Sequence, residues 1–309
     1  MRIQSALYII GPILFFVTIT VIVYLAFMDI STPNGEVRAL PQSSDLESAG
    51  QDTVYFGVIS RFSPNLIYQG YQPIMEYLSR ECGLFFSLRL SSSYEETLVQ
   101  LDQGRIQAAF LGTFLYLKAR RHHPIRCILK PLNNRFEPYF RSVVVAREDS
   151  PLHSVADFRG KRLALPSPLS FSGNWLLGSE LKRHGLSVSD LDSVRYFGFH
   201  HTVVYQVLLG QYDAGAVKDR VADEFADKGI RIIAASEPIP GSPIIVHNDL
   251  EPAIREAIIT ALLKIDARRD EYKALLGTWA PEFAYGFAPA KDGDYDQVAA
   301  IFGSIEDVP

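Results

Sequence analysis

Two cysteines in 309 residues are too few for a disulfide framework or a cysteine-based metal cluster. Cys82 and Cys127 could form one bridge in an oxidising compartment, but nothing in their spacing demands it. Positive charge is not in excess either. Thirty Lys and Arg stand against 35 Asp and Glu, a net charge of −5, so nucleic acid is not an expected partner. The catalytic signatures legible in a single chain are missing: no G-x-S-x-G elbow, no phosphate-loop lysine motif and no H-E-x-x-H. The histidines His122–His123 and His200–His201 come as adjacent pairs. Neighbours on a helix point in different directions and make poor paired metal ligands. Asp149, Asp157 and Asp213 fall in turn-like or strand-end positions, where capping explains them. No repeat of solenoid period occurs. An enzyme is therefore not expected, and no cofactor or metal is implied.

Charge is also missing from one long stretch. From Ile3 to Met28, "IQSALYIIGPILFFVTITVIVYLAFM" carries no charged side chain. That exceeds the ~7–15 residues of a signal-peptide core and suits the ~20 of a membrane span. Arg2 before it and Asp29 after it favour the N-terminus inside and the bulk outside. Residues 1–30 are expected to be a single-pass anchor through an N-terminal transmembrane helix. Residues 31–52, polar and containing Pro, Gly and Ser, are expected to be a flexible linker. The soluble body would then lie in the periplasm or outside the cell.

What the body does contain is alternation. Strand-like runs at "VYFGVIS" (54–60), "FFSLRLS" (85–91) and "AAFLG" (108–112) alternate with helical runs over 67–82, 94–104 and 113–121. In 67–82 the residues Ile67, Tyr71, Ile74 and Leu78 are spaced for one buried face. After the strands "RCILKPL" and "RSVVVAR" the rhythm restarts at Gly160: "RLALP", a helix over 172–184, "VRYFG", a helix over 201–209, "DAGAV", a helix over 219–228, "IRIIAAS" and "SPIIVH". Such alternation predicts an α/β fold with mostly parallel sheets. Two runs joined by apolar strands near 142–147 and 234–246 predict two lobes: 53–142 with 244–309, and 143–243.

In α/β folds ligands sit beyond the carboxyl ends of strands, where helices begin. "PSPLSFSGNWLLGSELKRHG" (166–185) puts Ser170 and Ser172 at that junction after "RLALP". "LSSSYEETL" (90–98) places three serines and Tyr94 at another, and Gly112 with Thr113 opens a third. A helix start presents unpaired N–H groups and the positive end of the dipole, and hydroxyls add donors that turn toward an oxyanion. The composition permits two readings: ordinary serine N-caps, or a two-sided anion clamp.

The segments "SVVVAREDSPLHSVADFRGKRLAL" (142–165), "SFSG" (170–173), "FGFHHTVVYQVLLGQYDAGAV" (197–217), "PIPGSPIIV" (238–246) and "FAPAKDGDYDQV" (287–298) lie in the order and spacing of a known family. From about Val54 onward the chain resembles the extracytoplasmic solute-binding proteins of ABC transporters for phosphonate, phosphite and phosphate. The resemblance implies a two-lobed type II periplasmic-binding-protein fold that closes on an anion. The family's Ser-Thr-Ser-Gly grip would be Ser170, Phe171, Ser172 and Gly173, with Phe171 costing one hydroxyl. Its cleft histidine would be His200, donating preferably as the imidazolium. Its first-lobe tyrosine would be Tyr94. A second aromatic position would be Phe140, with Tyr139 beside it able to bring a hydroxyl if the register differs. Thr113 is a further candidate. Where relatives that take an aminoalkyl substrate hold carboxylates, this chain has Arg220 and Ser242, and His201 follows the histidine. The resemblance therefore implies a small anionic solute without a cation: phosphate, phosphite, a simple alkylphosphonate, or one with a second acidic group paired to Arg220. The partner would be an ABC permease. The same fold also serves a membrane sensor kinase, or another small organic anion.

Overall fold

The computed structural model describes residues 53–302. The expected anchor, 1–30, and linker, 31–52, lie outside the described residues. Among the described residues no helix is long and apolar enough to cross a membrane.

The chain opens with strand β1 (Thr53–Val58), helix α1 (Pro64–Cys82), β2 (Phe85–Leu90), α2 (Tyr94–Asp102), β3 (Ala108–Phe110), α3 (Thr113–Ala119) and β4 (Ile125–Pro131). In α1 the four residues spaced for one face, Ile67, Tyr71, Ile74 and Leu78, are all buried. A short strand β5 (Tyr139–Phe140) leads to β6 (Ser142–Arg147), β7 (Arg162–Leu165) and α4 (Phe171–Trp175). This helix runs on through a π turn at Leu176–Glu180 into α5 (Leu181–Arg183). Then come β8 (Ser193–Tyr196), α6 (His200–Leu208), β9 (Ala214–Lys218), α7 (Asp219–Asp223) and β10 (Ile230–Ala235). The return passes through β11 (Ile239–Pro240) and β12 (Ile244–His247), and α8 (Pro252–Leu263), α9 (Asp270–Leu276), β13 (Phe287–Pro289) and α10 (Asp296–Ile301) complete the body.

Two sheets result. One has the order β13-β4-β12-β3-β1-β2, the other β10-β6-β9-β7-β8. The two passages between them lie side by side, because β5 and β11 pair antiparallel, Tyr139 with Pro240 and Phe140 with Ile239. The expectation of mostly parallel sheets is corrected. Only β1–β2, β1–β3, β7–β8 and β7–β9 are parallel. Strands β6 and β12 begin just after a passage between lobes and run against their neighbours, which makes both sheets mixed. The helix expected over 219–228 is shorter too, ending at Asp223 before a run of turns.

The core places chemistry as well as filling space. Phe110 and Phe283 meet edge-on at 4.7 Å, and Tyr71 meets Phe283 at 5.3 Å. Such pairs contribute about 0.5–1.5 kcal/mol each beyond their burial. They also aim the Tyr71 hydroxyl at Glu282 and set the Phe110 ring under Arg61. Elsewhere Asp292 ties the C-terminal region to the first sheet, accepting from the Tyr116 hydroxyl at 2.5 Å and from the Cys127 N–H at 3.1 Å. Burial pushes the Cys127 thiol up to about 12, so it stays protonated and donates to the same carboxylate. Asp292→Ala leaves these buried donors unpaired and is expected to cost ~2–4 kcal/mol in chemical denaturation, at ~1–3 kcal/mol per orphaned group.

Candidate functional site

The two serine-rich helix starts resolve differently. At α2, Ser93 is an ordinary cap: its hydroxyl accepts from the Glu96 N–H at 3.1 Å, while the Glu96 carboxylate takes the Ser92 N–H. Ser91, at the end of β2, is buried and its hydroxyl has no partner. At α4, Ser170 holds the N-cap position but makes no capping bond. Its Oγ meets His200 Nε2 at 3.3 Å instead. Ser172 is buried, and its Oγ has no hydrogen-bond partner. A hydroxyl buried without a partner costs free energy unless something else satisfies it. Phe171 turns its ring into the core, edge-on to Phe140 at 5.9 Å.

His200 begins α6, which lies tightly on β9. A Cβ at Gly215 would stand 2.5 Å from Val203 Cγ1 and 3.0 Å from the Ala164 carbonyl oxygen, so only glycine admits this approach. The approach brings His200 Nδ1 within 3.3 Å of the Lys218 N–H, which donates to it. The ring proton therefore resides on Nε2, facing Ser170. Burial, and then the charges of Lys218, Arg61 and Arg220, hold the histidine well below its usual range. Held low in this way, the ring is a neutral imidazole whose Nε2–H faces Ser170.

Positive charge enters from two residues not singled out in the sequence. Arg61 follows β1 and is 6% exposed. Its Nη1 bonds Glu282 at 2.7 Å, and Tyr71 donates to the same carboxylate at 2.9 Å. Burial would raise the Glu282 carboxyl, but Arg61, Lys218 and Arg220 outweigh it and hold the group low. Arg61 Nε and Nη2 are buried with no hydrogen-bond partner among the described residues. Lys218 ends β9, with its Nζ 2.9 Å from Ser242 Oγ and 4.5 Å over the Phe140 ring. Burial, reinforced by Arg61, brings its amine down to about 7. It forms no ion pair with a carboxylate among the described residues. Tyr94 is buried close enough to Arg61 and Glu282 to feel both charges.

The structure thus brings together Ser170, His200 and Tyr94 with Arg61 and Lys218, and sets Phe140 and Ser242 beside the lysine, while Ser172 lies buried on the same short helix as Ser170. It does not gather every expected residue. The Thr113 hydroxyl donates to the Pro240 carbonyl at 3.2 Å, so its proton is spent. Phe140 is the inward residue of β5, whereas Tyr139 is 42% exposed. Arg220, by contrast, lines the same cavity as Lys218 and Ser242, with its guanidinium paired to Glu224, which also takes His201 at 2.7 Å. Among the described residues no group of three or more His, Cys, Asp or Glu is placed to hold a metal ion.

Ser172→Ala separates affinity from stability. It removes an unbonded hydroxyl, so the unfolding free energy should change by less than about 1 kcal/mol or rise. Affinity for an anion should fall by roughly 10- to 150-fold in calorimetry, the value of one charge-assisted bond.

Two spaces adjoin this cluster. A cavity of about 930 Å³ is lined by Phe110, Phe140, Lys218, Ser242 and Glu282 together with Asn133, Asn134, Arg135, Glu137, Tyr139 and Tyr285. A smaller one of about 300 Å³ is lined by Ser91, Tyr94, Ser167 and Phe199.

The family model described as the periplasmic phosphonate substrate-binding protein of ABC transporters matches residues 56–295. The phosphate-import protein PhnD of Mycolicibacterium smegmatis is 24% identical over 285 residues, 84% of this chain and 88% of that protein. The phosphonates-binding periplasmic protein of Escherichia coli is 22% identical, covering 73% of this chain and 70% of its own length. Among solved structures, PhnD1 of Prochlorococcus marinus in complex with methylphosphonate superposes with a TM-score of 0.70 at 16% identity. That match covers 81% of this chain and 97% of that one. These structural matches show the two-lobed α/β fold.

Proposed function

The chain belongs to the family of periplasmic substrate-binding proteins of phosphonate ABC transporters, and from that premise we propose that it captures a phosphorus oxyanion between its two lobes and presents it to a permease. The observation that carries this reading is the set of unmade bonds. Arg61 offers Nε and Nη2 from one lobe, and Ser172 offers its hydroxyl from the other; all are buried and unpartnered. Lys218 supplies a cation with no carboxylate bonded to it, and the His200 Nε2–H adds a neutral donor. A tetrahedral oxyanion accepts several such bonds at once, each worth about 1.5–3 kcal/mol when charge-assisted. Closure of one lobe on the other would add the second set of donors to the first.

The solute that fits carries no cation near the phosphorus. Glu282 is engaged by Arg61 and Tyr71, Glu224 by Arg220 and His201, and Asp219 by the N–H groups of Arg141 and Arg220. Of the carboxylates lining the cavity only Asp223 makes no hydrogen bond among the described residues, and an ammonium next to the phosphorus would face Lys218 rather than a free carboxylate beside it. A second acidic group aimed at Arg220 would have to displace Glu224. Calorimetric titration with phosphate, phosphite, methylphosphonate, methyl phosphate and 2-aminoethylphosphonate tests the reading. Binding of the first four ahead of the last is expected; tight binding of 2-aminoethylphosphonate alone would overturn it.

The uncharged run from Ile3 to Met28 carries the second part of the proposal, an anchor that holds this body at the membrane. The chain should then remain with membranes after alkaline carbonate washing. Release into the wash would contradict it.

A further inference from the structure

Resting on the anion-binding reading above, we propose that the natural solute is a phosphate or phosphonate bearing a hydroxyl-rich organic substituent of at least pentose size, and that the loop 132–138 with Tyr285 is the wall that selects it. The cavity has room for more than a bare oxyanion. Lined in part by Lys218, Ser242 and Glu282, it measures about 930 Å³. A bare phosphorus oxyanion with five heavy atoms takes up roughly 150 Å³ at ~30 Å³ per water-sized group. Pockets of ~300–1,000 Å³ hold organic ligands of substantial size. An anion seated at Lys218 and Ser242 projects whatever it carries into this space.

The wall formed by this loop and Tyr285 is held in place by specific contacts. Asn133 folds the loop on itself, its Oδ1 accepting from the N–H groups of Arg135 at 2.8 Å and Glu137 at 3.0 Å, and its Nδ2 donating to the Tyr139 carbonyl at 3.0 Å. Phe136 adopts φ +60°, a left-handed conformation that costs a non-glycine residue free energy and persists only where the surroundings enforce it. Its ring stands edge-on to Tyr285 at 6.0 Å, with the Arg268 guanidinium 5.5 Å over its centre. These contacts fix the loop and the tyrosine as one surface.

That surface leaves polar groups free. Among the described residues the Asn134 amide, the Tyr139 and Tyr285 hydroxyls and the Asp223 carboxylate line the cavity without a hydrogen bond to the protein. An alkyl substituent would cover these groups and leave them unpaired. A ring carrying several hydroxyls would pair them, donating to Asp223 and exchanging bonds with the amide and phenols.

The experiment compares methyl phosphate with ribose 5-phosphate, two phosphate monoesters that differ in the substituent, by calorimetry on the full chain in mild detergent. Ribose 5-phosphate is expected to bind about tenfold tighter or more, the effect of one or two additional hydrogen bonds. The double variant Asn134→Ala, Tyr285→Phe should erase that margin and leave the methyl phosphate constant within about twofold. Equal or tighter binding of methyl phosphate overturns the proposal, and so does a margin that survives the double variant. If no phosphorus oxyanion binds, the anion reading itself fails and this inference falls with it. Binding of methyl phosphate without ribose 5-phosphate sinks the inference alone.

Discussion

Replacing Arg61 by methionine is expected to raise the dissociation constant for methylphosphonate by roughly 30- to 4,000-fold, the effect of about 2–5 kcal/mol when a buried charge partner is truncated. Two effects combine. The anion loses the donors Nε and Nη2, and the Glu282 carboxylate, now bonded only by Tyr71, repels the incoming charge. The variant should also be less stable, because a buried carboxylate loses its ion-pair partner. Glu282→Gln separates these contributions. It removes the repulsion and frees Nη1, so methylphosphonate should bind as tightly as before or tighter. A structural role for Arg61 alone predicts the opposite pattern: both variants lose stability and neither changes affinity beyond that loss. Affinity unchanged in Arg61→Met, with the protein folded, would remove this residue from the site.

Solute affinity is expected to fall as pH rises through and above about 7, because Lys218 loses its proton there. The sign follows from linkage. In the free protein burial and Arg61 bring the amine down to about 7, so at higher pH much of it is neutral. An oxyanion beside it favours the charged form, and binding therefore takes up a proton. The charged and titratable groups around this amine are Arg61, Glu282, Arg220, Asp219 and His200. Calorimetry in two buffers of different ionisation enthalpy should record net proton uptake near pH 8, after correction for the solute's own titration. Lys218→Met should abolish that uptake. The same depressed amine acts oppositely on the free protein. Between about 7 and its unfolded value near 10.4 the unfolded chain binds the extra proton, so this group makes the free fold more stable as pH rises. An affinity that climbs through this range, or proton uptake that persists in Lys218→Met, would contradict the assignment.

Much of this was legible in the chain because the signals were local. The spacing of Ile67, Tyr71, Ile74 and Leu78 gave the buried face of α1, and "RLALP" before "SFSG" placed the serines at a strand-to-helix junction. Strand direction was not legible, since it depends on where β6 and β12 enter after the passage between lobes. Arg61 and Lys218 were missed although a signal existed. Each stands at the carboxyl end of a strand, "VYFGVIS" and "AGAVK", the same rule that drew attention to the serines. Glu282 carries no comparable signal. It lies in a short turn more than 200 residues from Arg61 in sequence, and only the aromatic packing of Phe110, Tyr71 and Phe283 brings the two together. The protonation of His200 was equally out of reach. It follows from the Lys218 N–H arriving at Nδ1, which depends on the close helix–strand approach at Gly215.

The most direct test is a crystal structure of the protein with methylphosphonate bound. The phosphonate oxygens should lie within hydrogen-bond distance of Arg61 from one lobe and of Ser172, His200 Nε2 and Lys218 Nζ from the other. An anion held elsewhere, or touching one lobe alone with Arg61 and Ser172 still unbonded, would contradict capture between the lobes.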